Sequence, residues 1–342
     1  MNLDELNAIA NKMVAPGKGI LAADESTGTI QKRFDKIGVE NNEANRRDYR
    51  ELLFRTDTAM KSHIGGVILF DETIRQKAKD GTSLVALIEA AGSVPGIKVD
   101  KGAKPLAGAA EGDTITEGLD GLRERFVEYH KLGARFAKWR GVYEIANGTP
   151  SHNAIHANAH ALARYAALAQ ENGIVPIVEP ELLMDGAHTI EACEAVTEWI
   201  LKEVFQELFY AGVKLEGMIL KPNMVIAGKK CSKQNSVQEV AEATVRILKD
   251  CVPGAVPGIA FLSGGQSDED ATAHLSAMNA IGNLPWALTF SYGRALQAAP
   301  QKAWSGKAEN VAAGQAAFAH RALMNSLASL GKWKQADEKK AA

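Results

Sequence analysis

The amino-acid sequence predicts an α/β protein built as one (β/α)8 TIM barrel, and three observations point there. About eight short apolar runs recur along the chain, each bounded by a turn and followed by a helical pattern, as a parallel barrel requires. The runs are apolar through their middles, which suits parallel strands covered by helices. No proline- or serine-rich linker interrupts the alternation, so the 342 residues are expected to form a single domain, with an open doubly wound sheet as the alternative arrangement.

In chain order the runs are GILAAD (Gly19 to Asp24), GGVILFDE (Gly65 to Glu72), GIKVDKG (Gly96 to Gly102) and ARFAKWR (Ala134 to Arg140). IVPIVEPEL (Ile174 to Leu182), EGMILKPN (Glu216 to Asn223), GIAFLSGG (Gly258 to Gly265) and ALTFSYGR (Ala287 to Arg294) complete the set. Between them lie helical stretches such as NRRDYRELLFRT, SHNAIHANAHALARYAALAQENG and SVQEVAEATVRILKDCV. Several of these stretches end in glycine, which accepts the left-handed backbone of a C-cap. The amino-terminal MNLDELNAIANKMV reads as a short amphipathic helix, because it lacks the basic start and unbroken apolar stretch of a secretory leader. Residues 1–332 are assigned to the barrel with this helix, and the polar, charged 333–342 to a flexible tail.

Bulk properties exclude several function classes. With 46% hydrophobic and 23% charged residues, the chain can bury a sizeable core. Its 39 basic and 41 acidic side chains give a net charge of −2, so nothing general draws it to nucleic acid or to an acidic membrane surface. No apolar run approaches the roughly 18–20 residues of a membrane helix. Cys193, Cys231 and Cys251 are too few and too scattered for a disulfide framework or a zinc site, so a cytoplasmic, reducing setting is expected.

Charged residues gather at the C-terminal ends of the runs, where barrel enzymes place their chemistry. Side chains alternate across a strand, so Lys138 shares a face with Arg140, Glu179 with Glu181, Lys221 with Asn223, Asp24 with Ser26, and Lys98 with Asp100. Lysines and carboxylates converging on one rim shift each other's proton affinities, the setting of acid-base and amine chemistry. A free lysine, with a reference pKa of about 10.4, is protonated near neutral pH and cannot attack a carbonyl. A neighbouring ammonium and partial desolvation overcome this, which proposes an imine-forming lysine among Lys98, Lys138 and Lys221 without selecting one.

Two anion sites are also readable. LSGGQS, with Ser263, Gly264 and Gly265, and SYGRA, with Ser291, Gly293 and Arg294, offer backbone amides and a guanidinium at the seventh and eighth strand ends, where barrels often bind phosphate. Ser26 and Thr29 at a helix start, followed by Arg33, suggest the second. His156 and His160 are four apart on a helical stretch, but the glutamate of HExxH is missing, and they read as surface or core histidines with no metal site.

Together the strings GILAADESTGT, GGVILFDET, GIKVDKG, FAKWR, VPIVEPE, LKPNMV, FLSGGQS and PWALTFSYGRALQ resemble the class I fructose-bisphosphate aldolases from about Gly17 to Lys332. The resemblance implies a Schiff base on Lys221, with no metal and no other cofactor, and a sugar phosphate as partner. It implies Glu179 as the acid-base group of carbinolamine chemistry, Lys138 as a charge that lowers the pKa of Lys221 and binds substrate, Glu181 as the group that positions Lys138 and shares protons, and Asp24 as base on the C4 hydroxyl. One phosphate would lie with Ser263, Gly264, Gly265, Ser291, Gly293 and Arg294, the other with Ser26, Thr29, Arg33 and Lys98, Arg140 also facing substrate. A homotetramer is the assembly implied. Familiar relatives end in a tyrosine that serves proton transfer to the enamine, whereas this chain ends KKAA, so a rim group or bound water is expected to replace it. The alternatives are a transaldolase-like transferase with one phosphate site, and a scaffold that has lost its chemistry.

Overall fold

The computed structural model describes residues 2–146 and 150–339. Ten strands form: β1 (Gly19–Ala23), β2 (Ile64–Leu69), β3 (Val94–Lys98), β4 (Ala103–Pro105), β5 (Thr114–Thr116), β6 (Phe136–Tyr143), β7 (Val175–Leu182), β8 (Ile219–Leu220), β9 (Gly258–Phe261) and β10 (Ala287–Tyr292). β4 and β5 pair as an antiparallel hairpin that no apolar run announces. The other eight are parallel and close into a ring in the order β1, β2, β3, β6, β7, β8, β9, β10, so the barrel stands and the open sheet does not. β8 is shorter than its run because Pro222 has no N–H to give; the ladder ends with Lys221 N donating to Val178 O at 2.8 Å.

The expected helices wrap this ring. His152–Glu171 begins at Ser151, whose side chain accepts from Ala154 N, and Val237–Cys251 begins with a capping box between Ser236 and Glu239. Gly173 and Gly212 follow their helices at positive φ, as C-caps require. No helix among the described residues is long and apolar enough to cross a membrane.

Strand alternation sorts the side chains into two cores. Outward-facing Leu21, Val67, Ile97, Trp139 and Val178 pack under the helices. Inward-facing Ile20, Ala22, Ile68, Val94, Phe136, Val175, Ile177 and Ile219 fill the lower barrel, and the N-terminal helix Leu3–Met13 seals it with Leu6, Ala10 and Met13. The seal is close: a Cβ on Gly65 would stand 2.3 Å from Met13 O. Two residues further along the same inward faces come Asp24, Lys138, Glu179 and Lys221, and Lys98 comes four beyond Val94. The interior therefore changes from apolar plug to charged rim by the strand period alone.

Of the expected tail, residues 340–342 lie outside the described residues. Residues 335–339 form a 3-10 turn docked on the helices Asp268–Ile281 and Val311–Ser329. Arg321 is the reason: buried, its guanidinium needs an anion, and Glu338 accepts two hydrogen bonds from Arg321 Nη1 at 2.6 and 2.8 Å and one from Trp333 Nε1 at 3.1 Å. Deleting Trp333 to Ala342 is expected to cost about 3 kcal/mol of stability in denaturant unfolding, because Arg321 is left buried and unpaired. The same deletion should change kcat by less than about threefold, under roughly 0.7 kcal/mol in barrier.

Candidate active site

The barrel's C-terminal mouth opens into a cavity of about 940 Å3. Asp24, Ser26, Thr29, Arg33, Lys98, Lys138, Arg140, Glu179, Glu181, Lys221, Ser263, Gly264, Ser291 and Gly293 all line it, so fourteen of the sixteen residues singled out from sequence come together there. Gly265 and Arg294 stand outside the wall. Gly265 shapes the loop after β9, with φ of +83° and a would-be Cβ 2.5 Å from Met184 Cβ, a place only glycine can take. The Arg294 guanidinium turns to the carbonyls of Ser263 and Gln266 and to Asp268 Oδ1, 3.3 Å away.

At the centre two lysines share one carboxylate. Lys221 Nζ lies 3.1 Å from Glu179 Oε1, and Lys138 Nζ lies 3.3 Å from Glu179 Oε2 and 2.8 Å from Asp24 Oδ2, with Lys221, Lys138 and Glu179 carrying nearly buried side chains. The adjacency follows from register: β6 places Lys138 beside Lys98 of β3 and Arg140 beside Glu179 of β7. Burial opposes the charge on Lys138, but Asp24, Glu179 and Asp100 overcome it and hold the ammonium protonated well above the ordinary lysine range. Burial likewise works against ionised Asp24, and Lys138, Lys221 and Lys98 override it, keeping the carboxyl far below the usual carboxylate range. Lys98 Nζ is tied to Asp100 Oδ1 at 2.6 Å and to Asp100 O at 2.7 Å, and the Arg140 guanidinium pairs with Glu181. Lys138 touches two carboxylates, Asp24 and Glu179, and Lys98 is tied to both a carboxylate oxygen and the carbonyl of Asp100, whereas Lys221 meets Glu179.

The residues of both expected anion sites line the cavity, apart from Gly265 and Arg294. Ser291 Oγ is buried with no hydrogen-bond partner among the described residues, an orphan that a ligand oxygen at the β9 and β10 loops would satisfy. Arg33 lines the same cavity as Ser26 and Thr29 and reaches toward Gly293. Its Nη2 lies 3.3 Å from where a Cβ on Gly293 would stand, because a carboxylate, Glu25, pulls the guanidinium over the end of β10. Ser26 caps the helix Thr27–Phe34, and its Oγ is 3.1 Å from Thr29 Oγ1. Sequence reasoning missed the buried Arg50, whose Nη2 donates to Glu25 O at 3.0 Å and so fixes the residue that steers Arg33. It comes from a helix, where no strand-end signal marks it. Asp71, Arg75, Arg125, Glu128 and Tyr129 at the mouth were missed for the same reason.

His274 supports the loop after β9 from below. Burial pushes its pKa down to about 4, Asp270 pulling only weakly the other way, so the ring is neutral and Nδ1–H donates to Gln266 Oε1 at 2.6 Å. An unfolded histidine takes up its proton near 6.5, so unfolding binds a proton between about pH 4 and 6.5. This contribution is whole above pH 6.5 and shrinks as pH falls toward 4, by about 3 kcal/mol over the window. Denaturant unfolding from pH 4 to 7 should show the slope, and His274→Gln should flatten it.

A buried lysine in contact with a shared carboxylate, at the C-terminal mouth of a (β/α)8 barrel and beside anion cradles, defines an imine-forming barrel lyase. Comparison with known proteins gives the family. The family model for class I fructose-bisphosphate aldolase matches residues 5–342. A protein of Xanthomonas axonopodis pv. citri named "Probable fructose-bisphosphate aldolase class 1" is 58% identical over 335 residues, covering 98% of this chain and 100% of the relative. A fructose-bisphosphate aldolase of Echinococcus multilocularis is 55% identical, covering 97% and 91%. The solved fructose-bisphosphate aldolase of Plasmodium falciparum superposes with a TM-score of 0.95 at 52% identity, covering 97% of this chain and 96% of that one. The chain belongs to the class I fructose-bisphosphate aldolases, aldehyde-lyases that work through a lysine Schiff base without a metal. With that membership the one-phosphate transferase and the inactive scaffold fall away.

Proposed function

We propose that this chain cleaves fructose 1,6-bisphosphate reversibly into dihydroxyacetone phosphate and glyceraldehyde 3-phosphate, a step of glycolysis and gluconeogenesis, with Lys221 as the imine-forming residue. The observation that carries the assignment is Glu179, with one oxygen on Lys221 and the other facing Lys138. The Lys221 amine adds to the C2 carbonyl, and Glu179 delivers the proton with which the carbinolamine oxygen leaves as water. Asp24, held ionised, is able to accept the C4 hydroxyl proton. As the C3–C4 bond breaks its electrons pass into the iminium, giving an enamine on Lys221 and a free aldehyde. Lys138 stays cationic throughout, and Glu181 steadies Arg140 beside the substrate. Return of a proton to C3 converts the enamine back to the iminium. Water then hydrolyses the imine.

The C1 phosphate is assigned to Ser263, Gly264, Gly265, Ser291 and Gly293, with Arg33 beside them and Arg294 turning in from its carbonyl contacts. The other phosphate is assigned to Ser26, Thr29 and Lys98. A homotetramer in the cytoplasm is the proposed state: Phe209 and Tyr210 are 75% and 71% exposed at one helix end, apolar area that a partner subunit would cover, and three free cysteines suit a reducing compartment. The test is cleavage of fructose 1,6-bisphosphate after exhaustive EDTA treatment, with light scattering on the same sample. Full activity at about four chains of 36.6 kDa is expected, together with a lower kcat/KM for fructose 1-phosphate, which leaves the second cradle empty. Activity lost in EDTA and restored by zinc would overturn the reading.

A further inference from the structure

Outside the mouth, the helices His152–Glu171 and Ile190–Tyr210 flank β7 on the outer wall of the barrel. Their facing surfaces bring together groups far apart in sequence. His156 Nδ1 lies 2.7 Å from Glu203 Oε1 and 3.8 Å from Glu207 Oε1, and one donor atom from each of the three residues falls within 4.8 Å of the others. His160 Nδ1 meets the second oxygen of Glu207 at 2.8 Å. The rings of His156 and His160 stack with centroids 6.4 Å apart, so both present their edges to the same neighbour.

We propose that His156, Glu203 and Glu207 form a surface site for a divalent metal ion of the zinc class, with His160 holding the outer oxygen of Glu207. Three observations agree on it. Tetrahedral ligands at about 2.1 Å from zinc lie about 3.4 Å from one another, and the contacts of 2.7 and 3.8 Å bracket that value, so small rotamer shifts suffice. One imidazole with two carboxylates is a donor set that suits zinc, and it leaves a fourth position for water. Glu203 and Glu207 are like charges four residues apart on one helix, and neither is paired with lysine or arginine among the described residues. A dication supplies the missing positive charge, while His160 orients the ligating carboxylate as outer partners of metal ligands do. The ion would clip together the helices before and after the strand that carries Glu179. It stands apart from the imine chemistry, which needs no metal.

The test uses the full-length protein, reduced and stripped with EDTA, in calorimetric titrations with Zn2+ and Co2+. One ion per chain is expected, with an affinity at least tenfold weaker in each of His156→Ala and Glu203→Gln, and a thermal midpoint raised by Zn2+ in the parent only. His156 is exposed and Glu203 partly buried, and unchanged aldol cleavage by the variants confirms that they fold. No binding up to 1 mM metal, or binding equal in parent and variants and therefore located elsewhere, as at Cys231 or Cys251, overturns the site. Because cleavage is read separately in EDTA, failure of this site and failure of the aldolase assignment give different results.

Discussion

Replacing Lys221 by methionine is expected to abolish borohydride trapping of dihydroxyacetone phosphate and to lower kcat roughly 10^5-fold, a loss of the size seen when a covalent nucleophile is removed. Only an imine is reduced to a stable secondary amine, so peptide mass mapping of the parent enzyme should place the label on Lys221. The geometry makes the prediction selective. Lys138 is held as an ammonium between Asp24 and Glu179, and Lys98 is tied to two oxygens of Asp100. Lys221 is nearly buried, follows β8 directly and is fixed by its own backbone bond to Val178. Methionine fills a similar volume without the amine, so folding should be kept. Label appearing chiefly on Lys98 or Lys138 would sink the assignment.

Glu179→Gln should lower kcat by about 10^3, within the range of general acid-base catalysis. The amide keeps the shape but cannot carry a proton between the Lys221 nitrogen and the departing water. Lys221 also loses its counterion at 3.1 Å, whereas Lys138 retains Asp24 at 2.8 Å. Substrate phosphates are held elsewhere, so substrate affinity should change by less than tenfold, and the deficit should appear in single-turnover imine formation. A kcat within threefold of the parent would remove Glu179 from the proton path.

The sequence by itself determined the barrel and the rim. A period of two along eight apolar runs decides which side chains face inward, so Asp24, Lys138, Glu179 and Lys221 were assignable to one interior before any contact was known. The same local logic placed glycine C-caps after helices, as at Gly173 and Gly212. It could not choose among the three lysines. That choice depends on which carboxylates stand within about 3 Å, set by barrel closure and by the register of β6 against β3 and β7. Arg33 lies with Gly293 because Glu25, fixed by Arg50, pulls it there, and the tail segment docks because Glu338 pairs with the buried Arg321. His156 and His160 looked like plain helix-surface histidines because their glutamates come from a second helix. Strand and helix periods act over a few residues and are written in sequence; ion pairs between elements far apart in the chain exist only once packing has removed water and brought them together.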